Sequence, residues 1–296
     1  MMYSQERISE PKLVERYGDE VSSFLVSLQS EIDPFRQLVD GLFLEHSTFL
    51  SLFQSRTFEV TKESQPVEVI DYVLLLKQFE LGNQAVRSLI QSDYMVCATL
   101  VRSMFETNMT FIYLSKHPDD ADDFIAFSEI IGNPDVDWVS HRISRTKREN
   151  LEKKFSIRKM IKQLYAGTDH KETRINTEHF YQQLCNITHP SLEPVEIFYK
   201  AAFPPERAFS NIGIRRTVTQ LFSMLNQTVE TLAGGVHKNK QELENSYKRR
   251  EEMYRLHAEA TEWHKNNPAA TPPFTRNEEF RIGWKGDKAV IVFNEA

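Results

Sequence analysis

Cysteine is nearly absent: Cys97 and Cys185 are the only two in 296 residues. A disulfide framework is therefore excluded, and so is a Cys-x-x-Cys zinc or redox site. Glycine is scarce as well, with ten residues, and no Gly-x-Gly, Gly-Lys-Ser/Thr or Gly-x-Ser-x-Gly occurs. The dinucleotide fingerprint, the phosphate loop and the hydrolase elbow are thereby removed. No two of the nine histidines stand three or four apart, and no Glu-x-x-His is present, so no helix offers a paired metal site or a di-iron motif. His257 and His264, with Glu259 and Glu262 between them, lie in a charged stretch that solvent explains better than a metal. Neither a metal nor a cofactor is expected. The start of the chain lacks a basic region leading into an apolar one, so no signal peptide is read there. The longest apolar run, Tyr94 to Ser115, is interrupted by Arg102 and Glu106, which argues for a buried helix and against a membrane span. A cytoplasmic location follows. With 36 Lys and Arg against 42 Asp and Glu, a net charge of −6, the chain is no polycation that coats nucleic acid with its whole surface.

What the chain does carry is helical periodicity. Apolar residues, at 40%, recur at spacings of three and four, and prolines stand where first helical turns would begin. The pattern predicts helices over Pro11–Ser30, Pro34–Phe53, Val67–Ile90, Asp93–Ser115 and Pro118–Gly132, with a bend at Gly82-Asn83. Shorter helices fill Trp138–Thr188, with Gly167 as a C-terminal cap, and four prolines make residues 190–205 an arm. Ile214, Val218, Leu221, Leu225, Val229 and Leu232 mark a long docked helix. After Gly234-Gly235 the stretch His237–Trp263 is so charged that it reads as a solvated or partner-facing extension. The period then changes to two: Phe280, Ile282 and Trp284 alternate with polar residues, Lys285-Gly286-Asp287 is a turn signal, and Ala289–Phe293 is apolar. The expected fold is an all-α multi-helix bundle with a long C-terminal helix and a small C-terminal β-hairpin. Residues 1–233 form its core, 234–265 a charged helical extension, and 266–296 a Pro-rich connector plus hairpin.

The Asp93–Ser115 helix is apolar around most of its circumference, as a central helix is. Arg102 and Glu106 are its only charges between Tyr94 and Ser115, four apart on a stripe shared with Met95, Met109 and Tyr113. Charged groups are rarely buried without partners. Partners are expected from the Tyr181–Ser191 segment, where His189 stands at a helix end. Arg102, Glu106, Tyr113 and His189 thus form a candidate polar cluster, either a binding pocket or a structural ion pair beside a capping histidine.

Arg102-Ser-Met-Phe-Glu106, Tyr113-Leu114 and the downstream Tyr-x-x-Leu-x-x-x-x-His-Pro-Ser together resemble an uncharacterised bacterial helical family, known only as a domain of unknown function, over Val73–Ser191. That family is similar in layout to the HEPN superfamily of helical bundles, many of which are ribonuclease toxins or defence effectors. Their hallmark is an arginine followed after four to six residues by a histidine. Arg174 to His179 and Arg250 to His257 fit that spacing. The resemblance implies that His179 could act as general acid/base in metal-free RNA cleavage, with Arg174 stabilising the phosphorane.

Two opposed charge blocks adjoin each other. Pro118–Asp137 holds seven acids and no base, and His141–Lys162 holds nine Lys/Arg against two Glu. Arg142, Arg145, Lys147 and Arg148 are candidate phosphate contacts, although mutual neutralisation of the blocks is the simpler expectation. The chain reads as a cytoplasmic helical binding or regulatory protein, with a stress or phage-defence role implied only by the resemblance. The alternative is a metal-independent ribonuclease. A homodimer or a protein partner is expected through the 214–263 helix, RNA is a further candidate partner, and no membrane is expected.

Overall fold

The computed structural model describes residues 10–27, 33–55, 61, 63–132, 144–167, 169–188, 211–236, 238–266, 280–285 and 288–293. In chain order the helices are α1 (Glu10–Tyr17), α2 (Glu20–Ser27), α3 (Asp33–Gln54), α4 (Pro66–Ile90) and α5 (Tyr94–Lys116). A 3-10 turn (Pro118–Asp120) leads into α6 (Ala121–Gly132), followed by α7 (Arg145–Lys154), α8 (Ile157–Leu164) and α9 (Lys171–Thr188). Then come α10 (Asn211–Glu230), a π-helical turn (Thr231–Val236) and α11 (Lys240–Asn266). Phe280–Lys285 and Lys288–Phe293 pair antiparallel, with Phe280 opposite Phe293 and Trp284 opposite Ala289. The protein is an all-α bundle, and no described helix is long and apolar enough to cross a membrane.

The bundle is built around α5, which packs against α4, α8, α9 and α10; α3 lies against α10 and α11. Cys97, Val101, Met104, Phe105, Met109 and Leu114 of α5 are buried. The same helix also carries hydroxyl side chains, and these find acceptors inside it. Thr99, Ser103, Thr107, Thr110 and Ser115 each donate to the carbonyl four residues earlier. Thr107 and Thr110 are buried, and hydroxyls satisfied in this way let a helix lie in the core without leaving donors stranded. Asp93 caps its start by accepting from the Val96 amide at 3.2 Å.

Three local expectations are corrected. The single helix over Pro11–Ser30 is two, because Gly18 takes φ +81° and turns the chain between α1 and α2. No bend occurs at Gly82: α4 is continuous, and the glycine serves close packing, since a Cβ there would lie 3.2 Å from both Leu225 and Phe49. The charged stretch after Gly234-Gly235 is no free extension. Met253, Leu256 and Ala260 of α11 are buried, as is Ser246, and the helix docks on α3 and α10. An apolar residue at every third or fourth position suffices to seat a helix, and the remaining charges decorate its outer side. The 190–205 arm, the 266–275 connector beyond Asn266 and the Gly286-Asp287 turn lie outside the described residues.

Between α1, α3 and α4 sits His46, 1% exposed. Its Nε2–H donates to Asn83 Oδ1 at 3.1 Å, leaving Nδ1 to accept the Tyr17 hydroxyl at 2.5 Å. Burial lowers the imidazole from its ordinary 6.5 to about 4 and pushes the Tyr17 phenol up to about 12. Because the unfolded chain binds a proton at His46 that the folded chain refuses, stability is full above pH 6.5 and falls as pH drops towards 4. The loss through this one group is about 3 kcal/mol. Urea unfolding between pH 7 and 4 should show this decline, and His46→Gln should flatten it; an unchanged slope in the variant would show that His46 is not the titrating group.

Candidate functional site

Arg102 and Glu106 sit one turn apart on the face of α5 that α9 covers. Arg102 Nε donates to Glu106 Oε1 at 2.9 Å. From α9, the Tyr181 hydroxyl donates to the same Glu106 oxygen at 3.2 Å, and Thr188 Oγ1 accepts from Arg102 Nη1 at 2.8 Å. Thr188 passes its own hydroxyl hydrogen back to the Leu184 carbonyl at 3.0 Å. The Tyr181 ring stacks on Phe105 with centroids 5.4 Å apart, and the Arg102 guanidinium lies 6.0 Å from the same ring centre. Two neutral side chains of α9 thus fix both partners of a charged pair on α5. The pair remains 24% and 33% exposed, so the site is a shallow polar seam along the α5/α9 contact. Burial first, and the Glu106 carboxylate second, push the Tyr181 phenol well above its usual range, so it stays a hydrogen-bond donor at physiological pH.

The other two members expected of this cluster are not in it. Tyr113 shares the stripe of Glu106 but stands seven residues on, about 10 Å further along the axis. There its neighbours include the 3-10 turn and Phe155. The buried Tyr113 hydroxyl donates to Asp120 Oδ2 at 2.7 Å, with its ring edge-on to Phe155. Burial, reinforced by Asp120, raises this phenol. His189 lies outside the described residues, directly after Thr188.

Arg174 and His179 both lie on α9. Five residues apart on a helix, they point about 140° away from each other. His179 is exposed, whereas Arg174 is half-buried, with its Nε among the buried atoms that have no hydrogen-bond partner. Of the other arginine–histidine spacing, Arg250 pairs with Glu230 at 2.8 Å, and His257 Nδ1 lies 3.0 Å from Thr219 Oγ1. Among the described residues no group of three or more His, Cys, Asp or Glu is placed to hold a metal ion.

The opposed charge blocks meet in part. Lys154 Nζ donates to Asp120 Oδ1 at 2.8 Å and to Asp123 Oδ2 at 2.7 Å, tying α7 to the start of α6. Within α7, Arg145 pairs with Glu149 at 3.0 Å and Arg148 with Glu152 at 2.9 Å. Lys147 and Lys153 of α7, and Arg158, Lys159 and Lys162 of α8, are exposed. None of these five has an ion pair with an acid among the described residues. Arg158 bonds instead to the neutral Gln182 at 2.7 Å. Arg142 lies outside the described residues.

One charged centre escaped the sequence reading. Glu45 of α3 has no exposed surface. Arg249 of α11 donates to it through Nε, and Asn226 of α10 does so at 3.1 Å. Arg249 also reaches Glu242 at 2.8 Å, and Asn226 reaches Ser246 Oγ at 2.8 Å. Burial pushes the Glu45 carboxyl up, while the guanidinium and the amide pull it back. The signal was present: Leu38, Leu42, Glu45 and Phe49 keep a 4-3-4 spacing, so Glu45 occupies a core position of an apolar stripe.

Residues 71–198 match the sequence profile of a family of unknown function (DUF5677), which spans less than half of the chain. The matched stretch contains α5 and α9, and with them the whole Arg102–Glu106–Tyr181–Thr188 seam. No curated protein and no solved structure matches the chain.

Two substitutions separate the roles of these charges. Glu106→Ala should cost about 1–2 kcal/mol, as expected for a partly exposed, hydrogen-bonded pair, and should speed amide exchange across residues 181–188; unaltered exchange there would show that the seam does not fasten α9. Arg249→Met should cost about 3–5 kcal/mol by stranding the Glu45 carboxylate. The double variant Glu45→Leu/Arg249→Met should recover most of that loss in chemical denaturation, and a double variant as unstable as the single one would refute this account.

Proposed function

We propose that the protein is a helical binding or regulatory module that recognises a polyanion, RNA in the first instance, through the outward faces of α7 and α8. The observation that carries this reading is a count of partners. Four acids of α7 and of the adjoining 3-10 turn and α6 are already engaged: Glu149 and Glu152 by Arg145 and Arg148, and Asp120 and Asp123 by Lys154. Lys147, Lys153, Arg158, Lys159 and Lys162 are left as exposed cations on two consecutive helices. Exposed i,i+4 pairs are weak, so Arg145, 92% exposed, and Arg148 can add phosphate contacts to them. The two short helices display these charges on a fixed backbone, because Leu151, Met160, Ile161 and Leu164 anchor their inner sides in the core.

The α5/α9 seam serves such a module as a fastener that sets α9, and Gln182 with it, beside α8. The resemblance to helical families with roles in stress and defence supports a regulatory setting. A catalytic reading rests on the exposed His179, whose neighbour Arg174 faces another side of α9.

Fluorescence anisotropy with a labelled single-stranded RNA tests the proposal. Binding at 50 mM salt should weaken steeply by 200 mM, as counterion release requires. The variant Lys147→Glu/Lys159→Glu/Lys162→Glu should bind at least about tenfold more weakly at low salt. No binding at 50 mM salt, or binding untouched by the triple variant, overturns the reading. Cleavage of the RNA that His179→Ala abolishes would replace it with a metal-independent ribonuclease.

A further inference from the structure

The outer face of α11 carries charges in an order that is its own complement when read backwards. Lys240, Glu244 and Lys248 occupy successive turns in its first half, and Glu251, Arg255 and Glu259 do so in its second. All six are exposed. If a second copy of the helix is laid antiparallel, with the two-fold axis near residue 250, each of them meets the opposite sign. Lys240 faces Glu259 of the other copy, Glu244 faces Arg255, and Lys248 faces Glu251. Along the adjoining edge of the same face run Tyr247 and Tyr254, exposed by 42% and 55%, their midpoint within about one residue of that of the charges. In the antiparallel arrangement Tyr247 faces Glu252 of the second copy and Tyr254 faces Asn245, which leaves the two tyrosines about 3 Å out of direct opposition along the axis, within reach of their rings. The inner side of α11 is already spent on Met253, Leu256, Ala260 and the Glu45–Arg249 pair, so the outer face is the one left to a partner.

We infer that α11 is a homodimerisation helix, docking on a second copy of this chain in antiparallel register about residue 250. Three observations favour a second copy over an unrelated partner. The sign pattern is self-complementary, as an isologous two-fold contact demands. The aromatic pair is centred within about one residue of the symmetry point of the charges, and exposed tyrosines are favoured contact residues in interfaces. Twenty-seven residues of helix extend about 40 Å, long enough for a contact of ordinary size. The cis contacts of the face are compatible with this register. Arg255 bonds to Glu252 and Glu259 along its own helix, exposed pairs that exchange at little cost. The Arg250 guanidinium lies 5.0 Å from the Tyr247 ring centre and steadies it. The inference is independent of the polyanion surface, which lies on α7 and α8.

Sedimentation of the full chain, combined with a charge-swap pair, tests it. Variant A carries Glu244→Lys and Glu251→Lys; variant B carries Lys248→Glu and Arg255→Glu. In either variant alone every central pair becomes like-charged, so each should sediment as a monomer at concentrations where the parent is a dimer, with dissociation at least about 30-fold weaker. Mixed together, A and B restore opposite charges at all four central contacts and should form a heterodimer. Circular dichroism of both variants should match the parent, since all four positions are exposed. A monomeric parent at 50–100 µM (on the order of protein-study concentrations, well above a micromolar Kd) overturns the inference, as do variants that still dimerise or a mixture that stays monomeric. Weakened RNA binding by the α7/α8 variant with dimerisation intact would keep the two proposals distinct.

Discussion

A carboxylate with no exposed surface is the most demanding group in this bundle, and the placement of three helices answers to it. Left unpaired, Glu45 would cost several kcal/mol or give up its charge. Arg249 from α11 and Asn226 from α10 converge on it from two directions, and each is itself held by a further polar group, Glu242 and Ser246. That arrangement requires α11 to return alongside α3 after α10 ends. The π-helical turn at Thr231–Val236 and the left-handed Lys238, with φ 51°, make the reversal. The five residues of this network thus specify how the C-terminal helix is seated far more narrowly than the sparse apolar contacts of Met253, Leu256 and Ala260 could.

The same logic recurs, less stringently, at α5. Arg102 and Glu106 are half-exposed, so water shares in their solvation and the partners on α9 are neutral. A third instance joins Tyr113, Asp120, Asp123 and Lys154 at the far end of α5. There the two carboxylates and one ammonium hold α6 and α7 to the helix that the Arg102–Glu106 pair also serves. Polar groups on inner faces act here as registration pins: apolar surface draws the helices together without direction, and hydrogen-bonded charges choose which turn meets which. Charges on outer faces are free of that duty, and the basic face of α7 and α8 and the alternating face of α11 are where contact with other molecules is open.

The helices were legible because their signals are local. Asp93 and Pro66 mark helix starts, and apolar residues at three- and four-residue spacing mark the faces to be buried; for α3, α4 and α5 these cues agree within a residue or two with the elements found. The central place of α5 followed from an apolar circumference, and the need of Arg102 and Glu106 for company followed from the cost of burying charge. Glu45 was just as legible in kind. It went unread because α3 also carries Arg36, Asp40 and His46, so the helix did not stand out as apolar all round.

What no periodicity could decide is which distant residue arrives. Tyr113 is in phase with Glu106, yet it bonds to Asp120, because phase states direction and says nothing of which residue meets each turn. Gly18 and Gly82 are the same residue type, yet one reverses the chain and the other admits Leu225 and Phe49 at close range. Arg249 was read as one more charge in a solvated helix until α3 lay beside it. The chain alone determined an all-α bundle, the inner faces of its long helices and the want of partners at two ions, since these depend on spacing and solvation cost. Only the tertiary structure assigned the partners, because long-range pairing depends on the angles and lengths at which whole helices pack.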